Sequence, residues 1–364
     1  MSPGSALAGR CLMVGLEGSA LDRESRSALV RLAPGGVILF RRNLDSPERL
    51  AELVSEIEAA LPYPLLLALD QEGGRVSRLE PWIGPTPTAA ALAGAGEAAA
   101  GRFGRATGDA LSALGFNVDF APVVDLCESG IDNAIGDRSF GTATETVSLL
   151  AGAFLDGLQA AGVAGCLKHF PGLGRARFDS HVIRPTLDRS LEELETEELV
   201  PYRALGSRAA IVMVGHGHYP ALDPSTELPA TLSRAAIQDL LRGRLGFRGL
   251  VASDDMEMGA IQGFEENAQD AVRALEAGCD LLLYCRDLDR AARSLTALTR
   301  KAEAEATFAA RVEGAVGAVS RAASRWTRRR PDLALWERAR QALAESIPLS
   351  LGRGVDLPAV ETEE

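Results

Sequence analysis

No stretch of this chain approaches the roughly 18 consecutive apolar residues that a membrane-spanning helix needs. The opening residues, MSPGSALAGRCLMVGLEG, lack the basic start and long apolar centre of a secretory leader, so the expectation is a cytoplasmic protein with no membrane partner. Cysteine is sparse. Cys11, Cys127, Cys166, Cys279 and Cys285 are odd in number, show no metal-type spacing and mostly sit in apolar runs, which reads as reduced core residues. Positive charge is short as well: 38 Lys and Arg against 50 Asp and Glu give a formal net charge of -12, which argues against nucleic acid as a partner. No GxxxxGK[ST] phosphate loop and no GxSxG elbow occurs, and the glycines of Gly101–Gly108 do not follow a strand. Nucleotide-cradling and serine-hydrolase readings lose their support, and neither a cofactor nor a metal is expected.

What is present is apolar bulk, 46% of 364 residues, enough to bury a full-sized core. Eight short apolar runs suit buried parallel strands: Leu12–Gly15, Gly36–Phe40, Leu65–Asp70, Val118–Val124, Gly165–Phe170, Ala210–His216, Leu250–Asp254 and Asp280–Cys285. Between them lie helical segments such as Ser46–Leu61, Glu97–Leu114, Thr144–Ala161, Ser190–Ser207, Ser233–Leu245 and Asn267–Ala277. Ser46-Pro47-Glu48 and the Ser190/Glu193 pair are helix starts, while Gly115, Gly162, Gly246 and Gly278 are stops. Such strand-and-helix units, filling roughly the first 300 residues, match an α/β fold of the (β/α)8 TIM-barrel type; a doubly wound open sheet is the alternative. After Cys285 the sequence is Ala- and Arg-rich with helical spacing through Arg325, and Phe308, Val312, Val316 and Val319 recur at packing intervals, as expected of a docked helix. The chain thus divides into one catalytic barrel over residues 1–330 and a C-terminal helix with a tail over 331–364, the tail from Pro348 onward being expected to be disordered.

Polar residues gather at the C-terminal ends of the expected strands: Asp70-Gln71-Glu72-Gly73-Gly74-Arg75, Asp125, Lys168-His169, His216 and Ser253-Asp254-Asp255. In a (β/α)8 barrel those ends converge on one mouth, so charged groups far apart in sequence would meet there.

The most specific segment is Lys168-His169-Phe170-Pro171-Gly172-Leu173-Gly174 continuing to Asp179-Ser180-His181. It resembles the KHFPG-G-x4-DSH signature of the glycoside hydrolase family 3 β-N-acetylhexosaminidases, the NagZ-like enzymes. The resemblance extends to Ile38–Asn43, Ala68–Arg78, Asn117–Leu126, Ile135–Gly141 and Ser253–Ala260, in the expected order. It implies that Asp254 is a nucleophile forming a covalent glycosyl-enzyme, with His181 the acid/base and Asp179 its partner. A carboxylate nucleophile splits one difficult displacement into two easier ones, and an imidazole can donate and accept a proton near neutrality. Asp255 is the rival nucleophile, otherwise read as a helix N-cap. Carried over in the same way, Asp70, Arg78, Arg138, Lys168 and His169 bind the sugar; His216 is expected to line the same mouth and His218 to face solvent. Ser180 reads as a loop-shaping residue, and Arg175 and Arg177 as a solvated loop face. One position departs from the family, which usually has histidine at Leu173.

The expected activity is retaining release of terminal N-acetylglucosamine from peptidoglycan-type fragments by a monomer whose partner is a small glycan or muropeptide. Three other readings stay open: a phosphorylase of the same family, a metal-dependent barrel hydrolase or deacetylase, and an inactive sugar-binding barrel.

Overall fold

The computed structural model describes residues 7–127, 133–176, 184–224, 227–261, 263–264 and 266–347. Each of the eight apolar runs overlaps a strand: β1 Leu12–Gly15, β2 Gly36–Ile38, β3 Leu66–Leu69, β4 Val118–Asp119, β5 Ala164–Phe170, β6 Ile211–Val214, β7 Leu250–Asp255 and β8 Leu281–Tyr284. All pairings between them are parallel, and β1 pairs with both β2 and β8, which closes the barrel.

Alternation along the strands explains why these runs are apolar on both faces. One set of side chains, including Met13, Ile38, Leu66, Ala68, Phe120, Cys166, Met213, Ala252 and Leu283, packs together as the barrel interior. The intervening set, including Leu12, Val14, Val37, Leu67, Val212, Val251 and Leu282, packs under the helices. Strand β4 is shorter than expected because Pro122 has no N–H to give to the ladder. Its neighbours are still tied in beyond the strand end, by Cys166 N–H to the Ala121 carbonyl (2.8 Å) and Val124 N–H to the Lys168 carbonyl (2.9 Å).

The surrounding helices are α1 Arg23–Leu32, α2 Pro47–Ala60, α3 Glu97–Ala113, α4 Thr144–Ala160, α5 Leu191–Thr196, α6 Val200–Leu205, α7 Ala235–Arg244 with wide π turns, and α8 Gln269–Ala277. Ser46 caps α2 by accepting from the Arg49 N–H at 3.1 Å. At α5, Ser190 Oγ accepts from Glu193 N–H while Glu193 Oε2 accepts from Ser190 N–H, a complete capping box. The four expected stops, Gly115, Gly162, Gly246 and Gly278, all take positive φ.

Two expected helices are each divided. Ser190–Ser207 splits into α5 and α6: the backbone leaves helical geometry at Glu197, and Pro201, in the first turn of α6, has no N–H to carry the helical ladder back across that break. The segment after Cys285 forms α9 Leu288–Ala304 and α10 Ala306–Arg325, which meet at an extended Glu305. Val319 and Ala323 of α10 join the interior cluster of the barrel. Asn117, just before β4, donates to the Trp326 carbonyl at 2.6 Å, so α10 seals the end of the barrel where the strands begin. Beyond it, α11 Leu333–Ser346 lies on α3 and buries Trp336, whose ring meets Trp82 edge-on at 5.7 Å between centroids. The tail from Pro348 lies outside the described residues. Among the described residues, no helix is long and apolar enough to cross a membrane.

Candidate active site

The mouth formed by the strand C-termini is organised by Lys168, on β5. Its Nζ lies 2.9 Å from Asp70 Oδ1, just past β3, and 2.6 Å from Glu72 Oε1. Glu72 is held there by a hairpin, Gln71–Gly73 against Val76–Ser77, whose turn uses Gly73 and Gly74 at positive φ. The Gln71 side chain locks that hairpin by donating to Ser77 Oγ (2.9 Å) and accepting from Leu79 N–H (3.1 Å). Glu72 also receives the fork of Arg138, with Nε to Oε2 and Nη2 to Oε1 both at 2.8 Å.

Burial alone would neutralise Glu72, yet the charges of Arg138 and Lys168 outweigh it and hold the carboxyl well below its ordinary range. Burial likewise works against charge on Lys168 and Arg138, and the carboxylates facing them overcome it and raise both. Beneath this network Asp119 is fully buried, its Oδ1 accepting from Gln71 N–H at 2.9 Å, and desolvation pushes its pKa up.

His169 follows Lys168 through a cis peptide bond. Asp125, at 1% exposure, fixes it by accepting from both His169 Nδ1 (2.7 Å) and His169 N–H (3.1 Å). The ring's Nε2 then faces Arg138 Nη2 at 3.4 Å. The second oxygen of Asp125 accepts from Leu173 N–H at 2.6 Å. Leu173 is itself buried, and its methyls occupy the space above Gly215 and Gly217, where an added Cβ would come within 2.8 and 2.9 Å of them. An apolar side chain at this position is therefore packed rather than left facing water.

At the same mouth, two strands round from Lys168, stand Asp254 and Asp255 at the end of β7, both half-buried. Asp254 Oδ1 accepts from Asp255 N–H at 2.9 Å. Asp255 is not a helix cap; its Oδ1 accepts from Glu257 N–H in a turn (3.0 Å) and from Cys285 N–H at the end of β8 (3.4 Å). Burial, with the negative charges of Glu257 and Asp254 adding, pushes Asp255 up to about 7. His216 is fully buried under this strand end. A carbonyl can only accept, so its Nε2 donates to the Asp255 carbonyl at 2.8 Å, while Nδ1 faces the Thr231 hydroxyl at 2.7 Å. Arg78 lies over the ring of Phe40, 5.6 Å from its centroid.

The barrel thus brings Asp70, Lys168, Arg138, His169, His216 and Asp254 to one end. Asp179, Ser180, His181 and Arg177 lie outside the described residues. His218, expected at solvent, is buried, because its backbone pairs with Pro185 and Leu187. Arg175, read as part of a solvated face, is ion-paired with Glu197 and Glu198. Sequence reasoning assigned no role to Glu72 or Asp125, although both stand among the strand-end polar residues. Among the described residues, no group of three His, Cys, Asp or Glu is arranged to hold a metal.

Residues 9–321 match the glycosyl hydrolase family 3 N-terminal domain. The chain belongs to glycoside hydrolase family 3. As a family 3 member it is a glycoside hydrolase with the (β/α)8 barrel of that family. It is similar to a β-hexosaminidase of Pseudomonas aeruginosa (strain LESB58), 40% identical over 291 residues that cover 79% of this chain and 86% of that protein. Among solved structures, a family 3 β-N-acetylglucosaminidase from Paenibacillus sp. str. FPU-7 superimposes with a TM-score of 0.84 at 34% identity, over 95% of this chain and 69% of that one. Native NagZ from Neisseria gonorrhoeae gives 0.72 at 33% identity, over 93% and 97%.

Proposed function

We propose that this family 3 hydrolase is a retaining exo-β-N-acetylhexosaminidase that removes terminal N-acetylglucosamine from peptidoglycan-type fragments. One observation carries the reading: a half-buried aspartate, Asp254, stands at the same barrel mouth as a paired cationic network, two strands round from Lys168, in a chain 40% identical to a β-hexosaminidase. The Asp254 carboxylate attacks the anomeric carbon as the aglycone oxygen departs with a proton from His181. This leaves a glycosyl ester on Asp254. His181 then takes a proton from water, the resulting hydroxide attacks the same carbon, and the ester bond breaks; two inversions give net retention.

Asp70, Arg78, Arg138, Lys168 and His169 hold the sugar. Lys168 and Arg138 reach it with their charge already balanced by Glu72 and Asp70, which suits the hydroxyls of an uncharged ring better than an anionic group. His216 supports the nucleophile's strand end through the Asp255 carbonyl. A cytoplasmic monomer acting on cell-wall fragments completes the reading.

Matched aryl N-acetylglucosaminide and aryl glucoside substrates test it, with and without phosphate, while NMR follows the first sugar released. We expect faster hydrolysis of the N-acetylglucosaminide, β-anomer first, with no sugar phosphate formed. Release of the α-anomer, a sugar 1-phosphate product or preference for the glucoside would contradict it.

A further inference from the structure

Arg184, immediately after residues 177–183, pairs with Glu227, and the segment that carries Asp179 and His181 is flanked further out by Arg175, two residues before that stretch, and Arg189, six residues after it. Both reach the same two carboxylates. Arg175 places Nη2 2.6 Å from Glu197 Oε2 and Nε 3.2 Å from Glu198 Oε1. Arg189 places Nη2 2.7 Å from the same oxygen of Glu197 and Nε 3.4 Å from the same oxygen of Glu198, with Nη1 2.9 Å from Glu193.

The two glutamates stand in the break between α5 and α6, the interruption preceding Pro201. Had Ser190–Ser207 continued as one helix, consecutive residues would have pointed in different directions around it. The break lets Glu197 and Glu198 address one pair of arginines. Glu198 is only 3% exposed, and its stem packs on Gly172, where a Cβ would approach Glu198 Cγ to 2.8 Å. The Gly172 carbonyl is in turn held by the Tyr219 hydroxyl at 2.6 Å.

An isolated exposed ion pair contributes little, but here two cations share two carboxylates: Arg175 donates to Glu197 and Arg189 to Glu193 as hydrogen bonds, while Glu198 meets both arginines through charge alone and its burial pushes its carboxyl up. The chain on both sides of residues 177–183 is tied to one point of the scaffold. None of the four groups belongs to the proposed sugar-binding set or to the nucleophile.

We propose that Arg175, Arg189, Glu197 and Glu198 form a four-charge staple that positions the acid/base segment. The proposal rests on the assignment of His181 as acid. These are positioning residues, and their loss should therefore show in proton delivery to the leaving group. The quantity to read is kcat/KM, which covers only the steps through aglycone departure, for two aryl N-acetylglucosaminides of unequal leaving-group acidity. Arg175→Met and Glu197→Gln change partly exposed side chains, so both variants should fold, with a thermal midpoint measured alongside.

With the poor phenyl leaving group, kcat/KM should fall by about tenfold in both variants, and with a nitrophenyl group by less than about twofold. Arg175→Lys, which keeps the charge but not the fork that spans Glu197 and Glu198, should lose less than Arg175→Met on the phenyl substrate and should not fully recover wild type. A His181→Ala control separates the two claims. If that control alters the ratio between substrates and Arg175→Met and Glu197→Gln do not, the staple is overturned while the acid assignment stands. Equal losses on both substrates in the two staple variants also overturn it. A His181→Ala variant indifferent to the leaving group removes the acid assignment and the staple together.

Discussion

Glu72 and Asp255 are carboxylates at the same mouth that their surroundings push in opposite directions. Glu72 sits between two cations and stays ionised; Asp255 sits beside Asp254 and Glu257, partly desolvated, and tends to hold its proton. The difference has a measurable sign. A carboxyl whose folded pKa is raised to about 7 keeps a proton that the unfolded chain has already lost, so its contribution to stability falls as pH rises from the ordinary aspartate value to about 7, then levels off. Asp255→Asn removes that slope. Between pH 5 and pH 8 the wild type should lose on the order of 2 kcal/mol more stability than the variant, measured by urea unfolding at each pH. Parallel pH profiles for the two proteins would show that Asp255 is ionised throughout. At this scale the sequence reveals which residues are polar at strand ends, as with Lys168, His169 and Asp254. It does not reveal who pairs with whom. Glu72 reaches Lys168 and Arg138 only because the hairpin turns at Gly73 and Gly74, and Asp125 reaches His169 only across neighbouring strands.

Strands are the elements most legible in the sequence, since each is a short apolar run bounded by turn residues and both of its faces are covered. Helices are less so. The helix α1 offers a weak periodic signal, three buried residues on an otherwise polar segment, and Asp22 as its cap is the better clue. The splits at Glu197 and Glu305 follow from different local causes, Pro201 in the first case and an extended backbone without a sequence marker in the second. For α11 the packing is definite: Trp336 is 1% exposed, and its indole N–H has no hydrogen-bond partner among the described residues. Trp336→Ala should therefore destabilise the protein by about 3–5 kcal/mol, while Trp336→Phe, which loses no hydrogen bond, should cost much less. Urea unfolding distinguishes them; a change below about 1 kcal/mol for the alanine variant would mean that α11 is not part of the cooperative core.

For the whole molecule, parallel closure is what turns separate strand-end motifs into one site. Met13, Phe120, Met213 and their neighbours fill the barrel, α10 seals the end where strands begin, and the other end is left for Asp70, Glu72, Lys168, His169 and Asp254. The arrangement gives the proposed nucleophile, Asp254, and the proposed sugar-binding network different strands and therefore independent support. The central claim is that Asp254 carries the sugar between the two halves of the reaction. Intact-mass spectrometry after incubation with a 2-fluoro glycosyl donor, followed by peptide mapping, measures this most directly. We predict one added sugar per chain, on Asp254, and none in Asp254→Ala; an adduct mapping to Asp255, or turnover of an aryl N-acetylglucosaminide by Asp254→Ala at the wild-type rate, would contradict the account.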